Sequence, residues 1–175
     1  AYGDTETAFD GAAHVFCETL HQHKGLGHAI ECRGVAAEVN PRDNVLTVWS
    51  ATQMAHRAQS ILVQMLDLPE DRIRVVTPTV GGGFGPKFVF YQEEVVIPVA
   101  AMLLGRPVKW TGDRTDAFQA DDQARDNVVT AELALDENGI FLGLRVSTVA
   151  NLGAYLTMLG PHSSTNNLGS LSNVY

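Results

Sequence analysis

The chain has 175 residues, 45% hydrophobic and 18% charged, which is enough apolar mass for the core of about one domain and too much for a disordered segment. Its formal net charge of −8 excludes a basic nucleic-acid groove, so any anion must be gripped by aimed N–H groups and not by net field. No apolar run approaches the ~18 residues of a spanning helix, and no signal-peptide pattern is visible.

Along the chain, residues 12–24 place His14, Phe16, Glu18 and Leu20 on one strand face. His21 and His23 share the opposite face as a zinc or copper pair would, but no third ligand stands at useful spacing. Cys17 and Cys32 lack the CxxC spacing of a zinc or iron–sulfur site and read as two buried, reduced thiols of a cytoplasmic protein. A second strand is predicted over residues 31–39, a turn at Pro41-Arg42-Asp43-Asn44, and a third strand over residues 45–50. Met54, Ala58, Ile61, Leu62 and Met65 make one apolar face of a helix over residues 54–66, with Thr52 as its expected N-cap. Residues 72–76 form a short strand. A second helix is predicted over residues 92–104, with Glu93 and Glu94 at its positive end, Gly105 as its C-terminal cap and Pro98 as an internal kink. Residues 108–111 return as a strand. Residues 128–135 and 140–149 flank Asn138-Gly139, the turn chemistry of a hairpin. Between residues 111 and 128, Asp113, Asp116, Asp121, Asp122 and Asp126 are interleaved with Arg114 and Arg125 as a solvated or ion-paired loop without EF-hand spacing. Ser163 and Ser164 beside His162 lack a nucleophile elbow. The sum is an α+β fold, a mixed sheet of about seven strands with hairpins and two packed helices.

The run from Thr77 to Lys87 carries the chemistry. Gly81, Gly82, Gly83 and Gly85 crowd between a strand and a helix start, where bare main-chain N–H groups can close on an anionic or oxo-bearing group. A Walker loop needs Ser or Thr after its lysine, and Phe88 follows Lys87. A dinucleotide fingerprint needs a glycine where Pro86 stands. A plain tight connection and an unusual phosphate- or nucleotide-binding loop remain open on these residues alone.

The phrase Val80-Gly-Gly-Gly-Phe-Gly85 with Lys87 resembles the molybdenum-cofactor-binding subunit of the xanthine dehydrogenase, aldehyde oxidase and carbon monoxide dehydrogenase family. So do Leu46 to Gln53, ending in a Thr-Gln pair, and Leu104 to Trp110 with Asp113-Arg114. Residues 139–144 and Gly153-Ala154-Tyr155 continue the likeness in the same order. Residues 28–34 look like a degraded Met-Glu-Pro-Arg stretch, with Ile30 and Cys32 replacing Met and Pro.

The resemblance implies a molybdenum–pterin cofactor, in some members a cytosine dinucleotide, with no direct protein ligand to the metal. It assigns Gln53 a hydrogen bond to an oxygen ligand of the metal, and gives Gly82, Gly83, Phe84 and Gly85 main-chain contacts to the group. It implies water-dependent oxidation of an aldehyde, an N-heterocycle or carbon monoxide, with electrons leaving to iron–sulfur and FAD-bearing partner subunits or domains. Phe88 stands where purine-oxidising members carry a glutamate, so an apolar pocket wall replaces a carboxylate and xanthine is not the expected substrate. Residues 1–175 read as a single domain or as a fragment of the molybdopterin-binding domain of a cytoplasmic enzyme. The family's later segments, including its basic glutamate and substrate-facing arginines, are not among them. A fragment of this kind is expected to be inactive by itself. Two other readings are a non-catalytic scaffold relative that uses the loop for packing, and a phosphate- or nucleotide-binding module.

Overall fold

A computed structural model describes residues 3–157, 160 and 161, so His162, Ser163 and Ser164 lie outside the described residues. In chain order the elements are α1 (Thr5–Asp10), β1 (His14–Gly25), β2 (Gly34–Val39), β3 (Leu46–Ser50), α2 (Ala55–Leu66), β4 (Ile73–Val76), α3 (Glu93–Leu104), β5 (Val108–Thr111), α4 (Arg114–Ala120), β6 (Ala124–Leu135) and β7 (Phe141–Ala150). Single 3-10 turns stand at Glu70–Arg72 and Pro86–Phe88. The chain divides into two compact units: Leu26–Gln123, and the residues on either side of it.

The flanking unit is an antiparallel sheet in the order β1-β6-β7. Its hairpin forms as the Asn-Gly pair predicts. Gly139 takes φ +81°, and the Asp136 carboxylate accepts the N–H groups of Asn138 (2.8 Å) and Ile140 (2.9 Å). Helix α1, which the sequence reading did not anticipate, starts at Asp4, whose side chain accepts the Thr7 N–H. It lies over Gly143, where an added Cβ would come within 3.2 Å of the Phe9 ring.

The central unit is a four-stranded sheet in the order β4-β3-β2-β5, with β3 and β4 parallel and the other pairs antiparallel. Strand alternation puts Val35, Ala37, Leu46, Val48 and Ile73 on one face. Leu62 of α2 and Ala101 of α3 join them in the core cluster, so both helices cover that face. The α+β class, the seven strands and the two main helices therefore agree with the sequence pattern.

Several expectations need correction. Strand β2 begins at Gly34, and Glu31, Cys32 and Arg33 belong to the segment that enters it. Met54, not Thr52, is the N-cap of α2, because the Thr52 hydroxyl is engaged elsewhere while accepting the Met54 N–H. Helix α3, by contrast, spans the expected residues with Pro98 inside it and buried. The acidic loop contains helix α4, closed by a capping box in which Asp113 and Asp116 accept each other's backbone N–H groups. Cys17 is exposed and Cys32 half-buried, both free thiols, because β1 lies on an open sheet and Cys32 on a loop.

Leu62 is 0% exposed at the centre of the core, so truncation leaves a cavity that the sheet cannot close. Leu62→Ala is expected to lower unfolding stability by about 2–5 kcal/mol, read as a reduced urea midpoint at unchanged slope.

Candidate cofactor site

Strand direction decides where the site lies. Because β3 and β4 are parallel, both end at the same edge of the sheet, and the segments leaving them emerge side by side. Those segments are Ala51 to Met54 and the glycine loop. Strand β2 is antiparallel to β3, so the residues that precede it, Gly27 to Arg33, reach the same edge. The C-terminal end of β5 arrives there too, opposite Gly34, and leads into α4. Open α/β sheets bind ligands at the carboxyl ends of their parallel strands.

The glycine loop is not the direct mouth of a helix, as its position before residues 92–104 suggested. A 3-10 turn and Val89 to Gln92 separate it from α3. Its N–H groups are left open by backbone geometry instead. Gly82 (φ +97°), Phe84 (+54°) and Gly85 (+106°) adopt left-handed backbone conformations, the kind from which anion-binding nests are built. The N–H groups of Gly82, Gly83 and Phe84 have no acceptor among the described residues. The loop lies at the surface, with Phe84 72% exposed.

Gln53 stands against this loop. Its Oε1 accepts the Gly85 N–H at 3.3 Å, and a Cβ on Gly83 would fall 2.5 Å from the same oxygen. Only glycine at position 83 lets the exposed carboxamide approach so closely. The structure thus brings together Gln53, Gly82, Gly83, Phe84 and Gly85. Phe88 lies just beyond, half-buried, its N–H donating to the Gly85 carbonyl (2.8 Å) and its ring 5.7 Å from the Arg57 guanidinium.

Two groups that sequence reasoning missed hold the loop in place. The Lys87 side chain is 2% exposed, and its Nζ donates to Glu31 Oε2 at 2.5 Å. The same carboxylate oxygen accepts the Gly81 N–H at 2.9 Å. The Lys87 carbonyl accepts the Gln53 N–H (2.8 Å) and the Thr52 hydroxyl (3.2 Å). The hydrogen bond from Lys87 holds the Glu31 carboxyl below the ordinary glutamate range, against a partial desolvation that works the other way. A depressed folded-state value means that the pair contributes fully above the unfolded-chain pKa and is lost only as pH falls through the folded one.

A polar layer runs beneath the loop. Ser50 donates to Glu94 Oε1 (2.5 Å), and the Tyr91 N–H donates to Glu94 Oε2 (2.9 Å), which ties the start of α3 to the end of β3. Burial pushes the Glu94 carboxyl up in spite of those two donors. Arg33 reaches Asp121 (2.5 Å) and Glu93 (3.0 Å), with its guanidinium 3.7 Å from the Tyr91 ring centroid. Burial works against the charged guanidinium, but the two carboxylates outweigh it and raise its pKa. Its Nη2 is buried without an acceptor among the described residues. From α4, the Arg114 guanidinium donates to the carbonyls of Ala29 and Ile30, both at 2.7 Å, pinning the segment that carries Glu31. The signal for these residues was the pair Glu31 and Arg33 within the Met-Glu-Pro-Arg-like stretch.

Among the described residues, no three His, Cys, Asp or Glu side chains converge on a metal ion, so His21 and His23 stand without a third ligand there. Among those residues, too, no helix is long and apolar enough to cross a membrane. What the loop and Gln53 offer a bound group is peptide N–H donors and one carboxamide. A pterin cofactor that carries its own sulfur and oxygen donors suits such a site.

Comparison with known proteins agrees. The family profile of the molybdopterin cofactor-binding domain matches residues 1–175. The chain is 36% identical over 161 residues to the 6-hydroxypseudooxynicotine dehydrogenase complex subunit gamma of Paenarthrobacter nicotinovorans, covering 92% of this chain and 20% of that protein. It is 38% identical over 151 residues to the carbon monoxide dehydrogenase large chain of Hydrogenophaga pseudoflava, covering 86% and 19%. The crystal structure of quinoline 2-oxidoreductase from Pseudomonas putida 86 superposes with a TM-score of 0.82 at 31% identity, over 89% of this chain and 20% of that one. The chain therefore spans about a fifth of the length of these relatives. On the family match over its whole length, supported by relatives above 30% identity, this chain belongs to the molybdopterin cofactor-binding domain family.

Proposed function

We propose that the chain is the part of a molybdenum hydroxylase large subunit that receives the pterin-bound metal at the loop 81–85. One observation carries this reading: three N–H groups without acceptors among the described residues, on a surface loop, stand beside the Gln53 carboxamide, which packs directly against Gly83. When bound, the molybdenum–pterin group supplies a two-electron redox centre through which oxygen from water is added to carbon, with two protons and two electrons released. The residues of this chain perform the holding. Gly82, Gly83 and Phe84 offer peptide dipoles to the cofactor, and the acceptance of the Gly85 N–H by Oε1 fixes the Gln53 carboxamide and leaves its amide nitrogen as the donor. In the intact complex, which the reading places in the cytoplasm, iron–sulfur and FAD-bearing subunits take up the electrons. The cofactor's cytosine dinucleotide form fits the same assignment.

Phe88 sets the substrate class. It replaces a carboxylate with an apolar ring whose burial against substrate is worth about 2 kcal/mol. That favours an apolar aldehyde, an N-heterocyclic aromatic or carbon monoxide over xanthine. Relatives named for nicotine and quinoline chemistry favour the N-heterocycle among these.

The test is made on the full-length subunit in its complex. Wild-type protein should contain molybdenum and pterin by elemental analysis and pterin fluorescence. Gln53→Ala should keep most of the metal and lower kcat on the order of 10²-fold, as removal of a fixed donor to a reacting centre does. A wild-type complex free of molybdenum would sink the reading. For the substrate, Phe88→Glu is expected to raise xanthine turnover above that of the wild type. Efficient xanthine oxidation by the unmodified enzyme would contradict the pocket assignment.

A further inference from the structure

Glu31 and Lys87 belong to none of the groups expected to touch the cofactor, and yet the loop is fastened by them. A buried ammonium is costly unless a carboxylate meets it. Here Lys87 Nζ finds one on the segment that precedes β2, 56 residues away in sequence. The carboxylate does not stop at that pair. Its Oε2 also takes the Gly81 N–H, so the first peptide of the loop and the lysine that ends it are drawn to one atom. Gly81 is itself placed by this contact, since a Cβ there would lie 2.7 Å from the Glu31 Cβ. At the other end, the Lys87 carbonyl takes the Gln53 N–H and the Thr52 hydroxyl, so one residue fastens the loop to both neighbouring segments. Glu31 occupies the N–H of Gly81 and leaves those of Gly82, Gly83 and Phe84 without acceptors among the described residues.

We propose that Glu31 and Lys87 are positioning residues: one carboxylate oxygen, shared by the Gly81 N–H and the Lys87 ammonium, presets the loop and the adjoining Gln53 backbone in the conformation that receives the pterin cofactor. This rests on the cofactor assignment above for its ligand, but not for its geometry. The cradle is built before the cofactor arrives, and Lys87 serves as a tether whose charge Glu31 consumes, not as a cationic ligand to the cofactor.

Hydrogen exchange and cofactor retention on the full-length subunit in its complex test this. Glu31→Ala and Lys87→Met should speed exchange of the peptide spanning residues 80–87 by about tenfold, as loss of a charge-assisted hydrogen bond does, and speed pterin release on dilution to a similar extent. Exchange in β2 and β3 should stay at the wild-type rate. Lys87→Arg, which keeps a cation within reach of Glu31, should restore retention toward wild type, whereas a merely space-filling role would be satisfied by the methionine. If Glu31→Ala fails to fold, Glu31→Gln serves in its place. It keeps an acceptor for Gly81 and should lose only the part due to the ion pair. Unchanged exchange and retention in Lys87→Met would overturn the proposal, as would a uniform rise in exchange across the central sheet. A wild-type subunit without molybdenum would defeat the cofactor assignment alone, and the exchange pattern would still decide the tether.

Discussion

The parallel pairing of β3 with β4 is the constraint on which the site depends. Had these neighbours been antiparallel, Gln53 and the glycine loop would have left the sheet at opposite edges. Parallel pairing requires a crossover, and α2 supplies it while burying Leu62 and Ala58. The hydrophobic core and the site are thus one device. Apolar alternation on β2, β3 and β4 fixes the register, a one-residue slip would turn every core side chain outward, and the register fixes which loops meet.

Between core and site lies a layer of buried polar groups that does not follow from stability alone. Ser50 occupies a core-facing place in β3, where an aliphatic side chain would be simpler, and is satisfied by Glu94 of α3. Arg33 is buried against Asp121 and stacked on Tyr91, with the half-buried Glu93 as its second carboxylate. Buried ion pairs give little net stability against an apolar replacement of equal volume, because desolvation opposes the attraction. They do specify partners. Ser50 with Glu94 fixes where α3 begins relative to β3. Arg33 with Asp121 links the segment before β2 to the residue that ends α4. Each bond joins two of the segments that surround the loop, so the layer determines the cradle's shape.

How much of this was legible in the sequence follows from range. The glycine loop and Gln53, which the structure brings together, were legible as candidates because their signals are local: positions that need glycine, and a Thr-Gln pair at a strand end. The seven strands and two main helices were legible for the same reason, through alternation and apolar faces. Lys87 looked like part of a failed Walker motif because its meaning depends on Glu31, 56 residues away. Asp121 stood in a run read as solvated or ion-paired, and the sequence could not name its partner because Arg33 lies 88 residues away. Helix α4 was hidden in an acidic run because capping and ion pairing use the same side chain as a solvated loop. The link between the loop and a helix mouth was wrong for a local reason: Pro86 forces a 3-10 turn, and left-handed residues, not a helix terminus, expose the amides.

That last difference changes how an anion is held. A helix terminus would add a macrodipole, and an unpaired lysine would add a full charge. This loop has neither close at hand, since α3 starts later and the Lys87 charge is consumed by Glu31. What remains is a few neutral N–H dipoles, on a chain whose formal charge is −8. Such donors bind through geometry, because a preorganised dipole needs no reorganisation to meet its partner. On the proposed function, a rigid group that brings its own metal and presents oxygen atoms at set positions would meet all of them together. On that same reading, the restraint in the electrostatics is part of the selectivity, because Lys87 is buried against Glu31 and does not offer its charge to the ligand.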